Sequence, residues 1–571
     1  MGKALLRELF VLSTREMLAR QPEGDLASGY GNYMGVLPWA ICYSERFEGN
    51  PFYRDPTLLQ ALVRFGDFNC AAVDDKGNFS AGPFKGWDEW RMFAWMEAMK
   101  RIEGDLEQER VGRWSQKLVG AGSYVMDIAT EMDTFDGLIP NHGIWGHAFL
   151  YRVGQLFGVR EYVDMAALAF SRILGGQTPD GCFREGQSAA LMPGTPVTGY
   201  NLTSASAVNM YYGFSGDPQA AQALEKAWHW LYDFLLPDGT MPPTLDHRQP
   251  YNPQPVGPSC AYFMNKPEGR WMARRALEAA RKPFESAPAD KRPRGAFGFH
   301  ALQYDKVRGD VEEREPSWPE YTRMVAAEAC VRRRHGWAAA LSGMSNRYLS
   351  NFGLRLFAQE RQDCVSIFHQ KTGLIVGSAH STIQEEFSTF VFYENGRAQY
   401  IPDDAYLKST PPVDTMLLQY GSNVGAVSVD TTRPDCCEAT FSLHGEKGKW
   451  PRRGLGHCLS AMAARAHLAL RLERCRALRL KDRSWDAQRS DEEKLCLKVG
   501  PGEELDFGSW KVVSLDAPWE FRWPTCAYHP YALLQPCERV GILEVVLFAA
   551  SVPSPDVAEK RPTATFRIIV P

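Results

Sequence analysis

The residues best suited to chemistry in this chain are an asparagine and a histidine that stand side by side, Asn141 and His142. They follow Pro140 in a Gly/Pro-containing loop and precede an apolar, helix-like run, 148–157. An amide donor beside a titratable imidazole at a helix start can bind an anionic group and polarise it. The same pattern also fits an N-capping asparagine followed by a partly packed histidine. His147, one turn further on, is expected simply to pack.

Three Asp-Gly pairs indicate what could surround this motif. Asp136-Gly137, Asp180-Gly181 and Asp238-Gly239 each follow a long apolar helix, and the last two are each preceded by a pair of helix-like segments. Repeated helical hairpins with equivalent loops are typical of helical solenoids and toroids. Stacked hairpins place equivalent loops on one rim, so the three loops are expected to share a face. The alternative is that Asp-Gly is simply a common turn.

Side chains near the second and third of these loops are candidates for contact with a ligand. Arg184 and Glu185 offer a cation and a carboxylate, and Arg248 adds a cation after the third loop. Tyr200 opens the next helix, where the helix dipole and nearby cations would lower the pKa of its phenol. Arg184, Glu185 and Arg248 are therefore substrate-binding candidates, and Tyr200 is a catalytic candidate.

An earlier segment, Trp87 to Arg91, interleaves aromatic rings and charges. Trp90 and Trp95 fit one half-buried face of a helix. Trp87 lies beside a glycine turn, which makes it the better candidate for stacking against a sugar ring. Arg91 is a neighbouring cation that would bind an acidic substrate.

The second half of the chain contributes one histidine and a set of arginines. His380 lies between two strand-like runs, where it could reach the predicted rim; the alternative is an ordinary turn or edge histidine. The basic run from Arg332 to His335 and the later Arg347 are either a solvated face or anion binders. A charge run alone usually indicates the solvated face.

The period of the hydrophobic pattern changes once along the 571 residues. Up to about residue 280 it is helical and predicts helices at 5–19, 56–73, 87–104, 111–131, 145–157, 161–174, 202–213, 217–236 and 270–281. A charged, Pro-rich linker follows, and after it come short β-type runs with a hairpin turn at Asn395-Gly396. We therefore predict an α+β multidomain chain. An N-terminal (α/α) toroid, an incomplete helical barrel, spans 1–281, a linker spans 282–305, and a C-terminal antiparallel β-sandwich spans 306–571. A small separate sheet from about residue 500 is an open alternative.

Charge and composition exclude several classes of function. The net charge of −4 gives no general attraction to nucleic acid or to an anionic membrane, and no apolar run reaches membrane-spanning length. The thirteen cysteines form no metal-type C-x-x-C pairs and are interpreted as reduced thiols. No signal-peptide core is seen, so a cytoplasmic location is expected, or a periplasmic or secreted one if a leader has been removed. The oligomeric state is left open.

Several of these motifs together resemble one enzyme family. Pro140-Asn141-His142-Gly143-x-Trp145, the run Asp-Gly-x-Phe-Arg-Glu-Gly at 180–186 and Tyr200-x-Leu202 are similar to the helical domain of heparinase II/III-like polysaccharide lyases and their alginate-lyase relatives. The segments 332–347 and 377–395 resemble strands of the β-sandwich in that family, including its His-bearing hairpin. The resemblance implies an (α/α) toroid packed on an antiparallel β-sandwich, with an acidic polysaccharide bound in the cleft.

The resemblance also implies roles for individual residues. In β-elimination at a uronic acid, Asn141, helped by His142 or an arginine, would neutralise the carboxylate beside the proton that is removed. Tyr200 would act as base, acid or both, with His142 or His380 as the partner base. The substrate-binding set implied by these considerations is Trp87, Arg91, Trp145, Arg184, Glu185, Arg248 and Arg347.

No metal or organic cofactor is required for this chemistry. The family hairpin often reads His-Gly-His-x-Asp, whereas this chain has Ala379-His380-Ser381-Thr382-Ile383. The second histidine and the aspartate of that pattern are absent, which argues against a structural zinc.

Two other functions remain as alternatives to a lyase. One is an (α/α)-barrel glycoside hydrolase that uses paired carboxylates, such as Glu185 with Asp238 or Asp246. The other is a non-catalytic carbohydrate-binding protein of the same fold, because fold does not fix function. The clearest constellation is Asn-His-Tyr rather than two acids, so the sequence favours a lyase that cleaves a uronic-acid-containing polysaccharide or oligosaccharide.

Overall fold

The computed structural model divides into a helical unit and a β unit. The residues described are 2–19, 35–79, 88–131, 140–183, 198–245, 253–288, 291–292, 297–325, 329–342, 363–377, 384–394, 396–402, 404–443, 463–488, 490, 493–528, 536–549 and 563–571. The helical unit comprises the described residues of 1–194, 199–231 and 254–316, and the β unit those of 195–198, 232–253 and 317–571.

The α-helices of the described ranges are all in the first 303 residues. They are α1 (Gly2–Ala19), α2 (Val36–Ser44), α3 (Pro56–Ala72), α4 (Glu89–Ile102), α5 (Gln108–Glu131), α6 (Pro140–Phe157), α7 (Arg160–Gly175), α8 (Thr198–Ser215), α9 (Pro218–Phe234), α10 (Ala261–Met264), α11 (Pro267–Ser286) and α12 (Gly298–Gln303). Each helix predicted from periodicity is present, with ends that differ by a few residues. Short α2, α10 and α12 were not predicted.

Local sequence signals explain where several helices begin. Asp55 caps α3 by accepting hydrogen bonds from the backbone N–H groups of Thr57 and Leu58, and Pro56 occupies the first helical position. Asp88 caps α4 in the same way, by accepting from the N–H of Arg91 at 3.1 Å. The Asp88 cap fixes the start of α4, whose first residues belong to the candidate site.

The first and last long helices of the helical unit pack against each other. Arg281 of α11 forms an ion pair with Glu8 of α1 at 2.9 Å, and Arg292 reaches Glu16 at 2.6 Å. Helices in between pack on their sequence neighbours, for example α6 on both α5 and α7. Contact between the two ends of a series of helical hairpins is what the predicted toroid requires.

The β unit contains two antiparallel sheets. Its strands are β1 (Tyr321–Val325), β2 (Ala329–Arg334), β3 (Trp337–Ser342), β4 (Val365–His369), β5 (Gly373–Val376), β6 (Phe390–Glu394), β7 (Arg397–Gln399), β8 (Asp404–Thr410), β9 (Val413–Tyr420), β10 (Asn423–Asp430), β11 (Cys436–Leu443), β12 (Ala463–Leu470), β13 (Ala477–Leu480), β14 (Arg483–Asp486), β15 (Leu495–Val499), β16 (Glu504–Asp506), β17 (Lys511–Ser514), β18 (Trp519–Tyr528), β19 (Pro536–Ala549) and β20 (Thr563–Ile569). The hairpin predicted near residue 396 is confirmed by the pairing of β6 with β7.

Strand order shows how the two sheets are built. One sheet has the order β1-β2-β3-β4-β5-β12-β19-β18-β15, with β6 pairing with β12 and β7. The other has the order β14-β13-β16-β17-β20-β11-β10-β9-β8. Side chains from both sheets form one continuous apolar core, including Phe390, Phe441, Phe521 and Phe566. The α+β fold class, a helical domain followed by an antiparallel β-sandwich, is therefore confirmed.

The structure revises three borders. Residues 282–305, expected to form a linker, include the end of α11 and all of α12, because Phe284 is buried and stacks on Phe297 at 6.0 Å between ring centroids. The described residues of 232–253, which begin in the last turn of α9, belong to the β unit. Strands after residue 500 are divided between the two large sheets and form no separate sheet among the described residues.

Two arginines of the basic run, Arg332 and Arg333 of β2, are buried rather than solvated. Arg332 donates two hydrogen bonds to the carboxylate of Asp414, at 2.6 and 2.8 Å, and so joins β2 of one sheet to β9 of the other. The next side chain points to the opposite face of its strand. There Arg333 lies over the rings of Trp318 and Tyr321 and donates to the backbone carbonyl of Leu235. Both expectations for these two arginines, a solvated face and an anion-binding site, are therefore corrected.

A second polar cluster joins three strands of the larger sheet. Glu544 of β19 accepts hydrogen bonds from His467 of β12 at 3.1 Å and from Arg522 of β18 at 3.0 Å, and Arg465 lies 3.3 Å away. His467 donates its other ring N–H to the carbonyl of Ser388 at 2.9 Å. Although burial opposes it, the hydrogen bond and electrostatic interaction with His467, together with Arg522 and Arg465, lower the pKa of Glu544 to about 2.

No helix of the described ranges is both long and apolar enough to span a membrane. The eleven cysteines whose side chains the structure describes are free thiols.

Replacement of Gly181 by alanine should destabilise the protein more than the same change at Gly158. Both glycines have positive φ, +100° and +72°, which costs an alanine about 1 kcal/mol. A Cβ at Gly181 would also overlap the carbonyl oxygen of Lys226, whereas Gly158 has no atom near that position. We expect a loss of about 3 kcal/mol for Gly181→Ala and about 1 kcal/mol for Gly158→Ala in urea unfolding. Equal losses would contradict the tight packing of the Asp180-Gly181 turn on α9.

The Glu544 cluster should make stability dependent on pH in the acid range. Because the folded-state pKa lies below the usual value for glutamate, the stabilisation is complete above about pH 4.5 and is lost as pH falls towards 2. Its size is about 3 kcal/mol. Denaturant unfolding at pH 7 and pH 3 should show Glu544→Gln less stable at neutral pH and less sensitive to acid. The matched control is Glu520→Gln, because Glu520 lies directly opposite Glu544 on the neighbouring strand. An unchanged acid response in Glu544→Gln would contradict the assignment.

Candidate active site

The candidate site lies at the first turn of α6. Because α6 begins at Pro140, Asn141 and His142 are inside the helix rather than ahead of it, and Asn141 is not the cap. Proline suits the first helical position, and the N–H groups of a first turn have no partner within their helix. Asn141 is fully buried, whereas the His142 side chain is 14% exposed. The amide and the imidazole therefore lie together at the positive end of a helix dipole.

His142 contacts a residue of another helix. Its Nδ1 lies 2.5 Å from Oε1 of Glu89, the first residue of α4, and the Glu89 side chain is only 1% exposed. The imidazole also stacks on the indole of Trp90, with ring centroids 4.8 Å apart and planes 25° apart. Phe299 packs edge-on against the same indole. The ring of His142 is thus held by a hydrogen bond in its plane and by an aromatic face.

Contacts along α4 and α6 show that these helices run in the same direction. Starting from Glu89 and His142, the next contacts are those of Phe93 with Trp145 and Phe149, and then the ion pair of Glu97 with Arg152 at 2.8 Å. The residue numbers rise together on both helices. The first turns of α4 and α6 therefore lie at the same end of the helical unit.

Helix α8 has the same direction as α6. Tyr151 of α6 contacts Tyr211 of α8 with ring centroids 5.1 Å apart, and Gln155 donates to the carbonyl of Phe214 further along. These two contacts pair residues of α6 with residues about 60 positions later in α8. The same offset, applied at the helix starts, places Tyr200 in the first turn of α8 level with the Asn141-His142 turn. Tyr200 is partly exposed. Alternate helices α4, α6 and α8 thus present their first turns at one end of the helical unit. The first Asp-Gly pair, Asp136-Gly137, lies outside the described residues, so a rim shared by all three pairs stays a prediction.

The loop before α8 is tied to the same end. Asn201 of α8 accepts a hydrogen bond from the backbone N–H of Phe183 at 2.8 Å, and Gly181 packs on the backbone of α9 at Lys226. This loop contains the second Asp-Gly pair. The third pair, Asp238-Gly239, lies in the β unit, where Asp238 accepts hydrogen bonds from Thr240 within its own turn.

Two predicted substrate-binding residues have structural positions instead. Arg91 is 1% exposed, donates to Asp88 and Asn69 at 3.3 Å each, and lies against the rings of Phe65 and Phe79. Burial raises the pKa of Asp88 to about 6 despite this cation. Trp145 is fully buried between Phe93 and Phe299. Neither side chain offers a surface to a sugar, so the structure corrects both predictions of a substrate-binding role.

The remaining predicted site residues lie outside the described residues. They are Trp87, Arg184, Glu185, Arg248, Arg347 and His380, together with Asp246 of the hydrolase alternative. Their proposed roles stay predictions.

Glu89 is the site residue that sequence reasoning missed. The interleaved rings and charges between Trp87 and Arg91 indicate a helix face for Trp90. The pattern gives Glu89 no role. The available signal was a second carboxylate directly after the helix-capping Asp88. Its partner His142 is 53 positions away, so only the fold reveals the pair.

Comparison with known proteins identifies the fold. No protein-family model and no curated protein sequence matches the chain. Among solved structures, a chondroitin AC lyase from Streptomyces coelicolor A3, in complex with chondroitin sulphate, is similar over all of this chain and 79% of its own, with a TM-score of 0.55 and 14% identity. A xanthan lyase from Paenibacillus is similar over all of this chain and 57% of its own, with a TM-score of 0.54 and 12% identity. A heparinase III is similar over 96% of this chain and 78% of its own, with a TM-score of 0.51 and 9% identity. The chain shares the fold of these lyases, as the sequence resemblance implied.

Proposed function

We propose that this chain is a polysaccharide lyase that cleaves a uronic-acid-containing polysaccharide or oligosaccharide by β-elimination. The observation that carries the proposal is the Asn141-His142 turn, paired with Glu89 and level with Tyr200 at one end of the helical unit. This amide, imidazole and phenol set stands in a fold shared with a chondroitin AC lyase, a xanthan lyase and a heparinase.

The reaction requires a group that stabilises negative charge and a group that moves a proton. A base removes the proton at C5 of the uronate, the C4–C5 double bond forms, and the C4 oxygen leaves with a proton. The C5 proton becomes acidic enough only when hydrogen bonds neutralise the adjacent carboxylate as it gains enolate character. The Asn141 amide and the His142 imidazole, at the positive end of α6, are suited to that role.

Tyr200 is the proposed base, acid or both. A phenol reacts as a base only when its pKa is lowered, and the first turn of a helix favours the phenolate through the helix dipole. The partly exposed position of Tyr200 in α8 leaves it accessible to a substrate at this end of the unit. His380 remains the proposed partner base from the β unit. Arg184, Arg248 and Arg347 are the proposed cations for substrate acid groups.

A substrate panel tests the reaction class directly. Incubation with alginate, glucuronan, heparan, chondroitin and hyaluronan should generate ultraviolet absorbance of an unsaturated uronate from at least one polymer, because elimination creates a conjugated double bond. New reducing ends without that absorbance would contradict the lyase in favour of a glycoside hydrolase. Binding without cleavage of any polymer would favour a carbohydrate-binding protein.

Within the lyase function, Tyr200→Phe should separate binding from chemistry. Loss of the hydroxyl removes the proton-transfer group while the ring is kept, so we expect turnover to fall by about 1000-fold with substrate affinity within about threefold of wild type. Tyr212→Phe, further along the same helix, is the matched control and should keep its activity. Absorbance assays give turnover, and calorimetry gives affinity. Normal turnover in Tyr200→Phe would remove Tyr200 from the mechanism.

A further inference from the structure

We infer that Glu89 is a positioning residue that keeps the His142 imidazole positively charged, with its proton-bearing Nε2 as the donor to the substrate carboxylate. His142 would then stabilise charge rather than act as a base. The catalytic consequence rests on the proposed lyase function, whereas the charge of the ring does not.

The contact with Glu89 assigns a role to each ring nitrogen in the inferred ion pair. The carboxylate of such a pair only accepts hydrogen bonds, so the proton in the 2.5 Å contact belongs to Nδ1 of His142. The other ring nitrogen, Nε2, does not take part in the contact with Glu89. Any chemistry of this ring with a substrate therefore takes place at Nε2.

The burial of Glu89 next favours the charged form of the ring. A carboxylate removed from water is costly unless a cation compensates it. Within the described part of the chain, His142 is the only hydrogen-bonding or ion-pairing partner of Glu89. The nearest other cation on α4, Arg91, is directed to Asp88 and Asn69. An imidazolium at His142 therefore supplies the compensating charge, and that form carries a proton on Nε2 as well.

The other histidines near these elements do not share this environment. His147, one turn along α6, hydrogen-bonds the carbonyl of Gly143 at 2.7 Å, and burial lowers its pKa. His300 of α12 packs against Phe297, and burial lowers its pKa to about 4. Both are neutral at pH 7. Among the described charged groups of α4, α6 and α12, the one carboxylate that contacts His142 is Glu89.

The aromatic stack holds the charged ring in a fixed orientation. An indole face attracts a cation, and the planes of His142 and Trp90 are close to parallel. Phe299 supports this arrangement by packing edge-on against Trp90, with ring centroids 5.6 Å apart. With Nδ1 held by Glu89 and the ring plane held by Trp90, the direction of the Nε2–H bond is set. Proton removal from the sugar is then left to Tyr200 or to the predicted His380.

Nitrogen-15 NMR of the ligand-free protein tests the charge without any substrate. With His142→Gln to assign its signals, we expect both ring nitrogens of His142 to be protonated at pH 7 in the wild type. In Glu89→Gln, which keeps the size of the side chain, the pKa of His142 should fall by at least about one pH unit. Glu97→Gln, on the same helix and paired with Arg152, is the matched control and should leave His142 unchanged. A neutral His142 in the wild type at pH 7 would overturn the inference even if Glu89→Gln failed to fold.

The lyase assay then tests the catalytic role. If His142 must be charged, kcat/KM falls as pH rises through the pKa of His142, and Glu89→Gln should move this basic limb to lower pH by the shift seen in NMR. Glu89→Asp, which keeps the carboxylate, should shift the basic limb less than Glu89→Gln does. A pH profile that is identical in wild type and Glu89→Gln, in an enzyme that does cleave, would overturn the positioning role. Absence of cleavage from every polymer would instead contradict the proposed function, while the NMR result would still decide the charge.

Discussion

The parallel register of α4 with α6 is the constraint on which the candidate site depends. Each helix must bury one apolar stripe, and the ring contacts of Phe93 with Trp145 and Phe149 are where these two stripes meet. Once those rings are packed, the helices cannot slide without opening a cavity, so their first residues are fixed relative to each other. Glu89 and His142 then meet as a consequence of aromatic packing one and two turns away. The chemistry at the helix starts is thus held by apolar contacts in the helix middles.

The same division between packing and polar groups appears in the β unit. Residues of β2 alternate between faces, so neighbouring arginines have different partners, with Arg332 directed to Asp414 of the second sheet and Arg333 to the segment around Leu235. A buried ion pair of this kind contributes little net stability, but removal of one partner leaves an unpaired charge. Such pairs therefore specify which strands face each other more than they add to stability. The cluster of His467, Arg465 and Arg522 around Glu544 likewise connects β12, β18 and β19.

The periodic part of the fold could be predicted from sequence, and the aperiodic part could not. Helices such as α7 and α9 alternate polar and apolar residues with the helical period, so their presence was evident. Helix α2 is apolar at nearly every position and buried from Val36 to Tyr43, which leaves no period to detect. Helix α12 is six residues long, which is too short for a helical period to be detected. The charged, Pro-rich composition around Pro283 indicated a linker, yet Phe284 anchors that stretch in the helical unit.

The candidate site shows a similar limit at the level of single residues. Asn141, His142 and Tyr200 could be selected because residue type and a helix start are local properties. Arg91 and Trp145 were misassigned because their types suit a sugar site, whereas burial depends on partners such as Phe79 and Phe299 that no local pattern reveals.

Two histidines on one helix show why the fold must be known before a role is assigned. His142 and His147 are separated by little more than a turn of α6, and both are held at Nδ1. The partner of His147 is a backbone carbonyl, which carries no charge, so burial lowers its pKa and the ring stays neutral, confirming the expectation that it packs. The partner of His142 is a buried carboxylate, which is stable only beside a cation. We therefore infer different charge states for the same side chain at two places on one helix, and the difference comes from α4 rather than from anything in the local sequence. A role for His142 in stabilising a developing enolate depends on Glu89, because the carboxylate would keep the imidazole charged before the substrate binds.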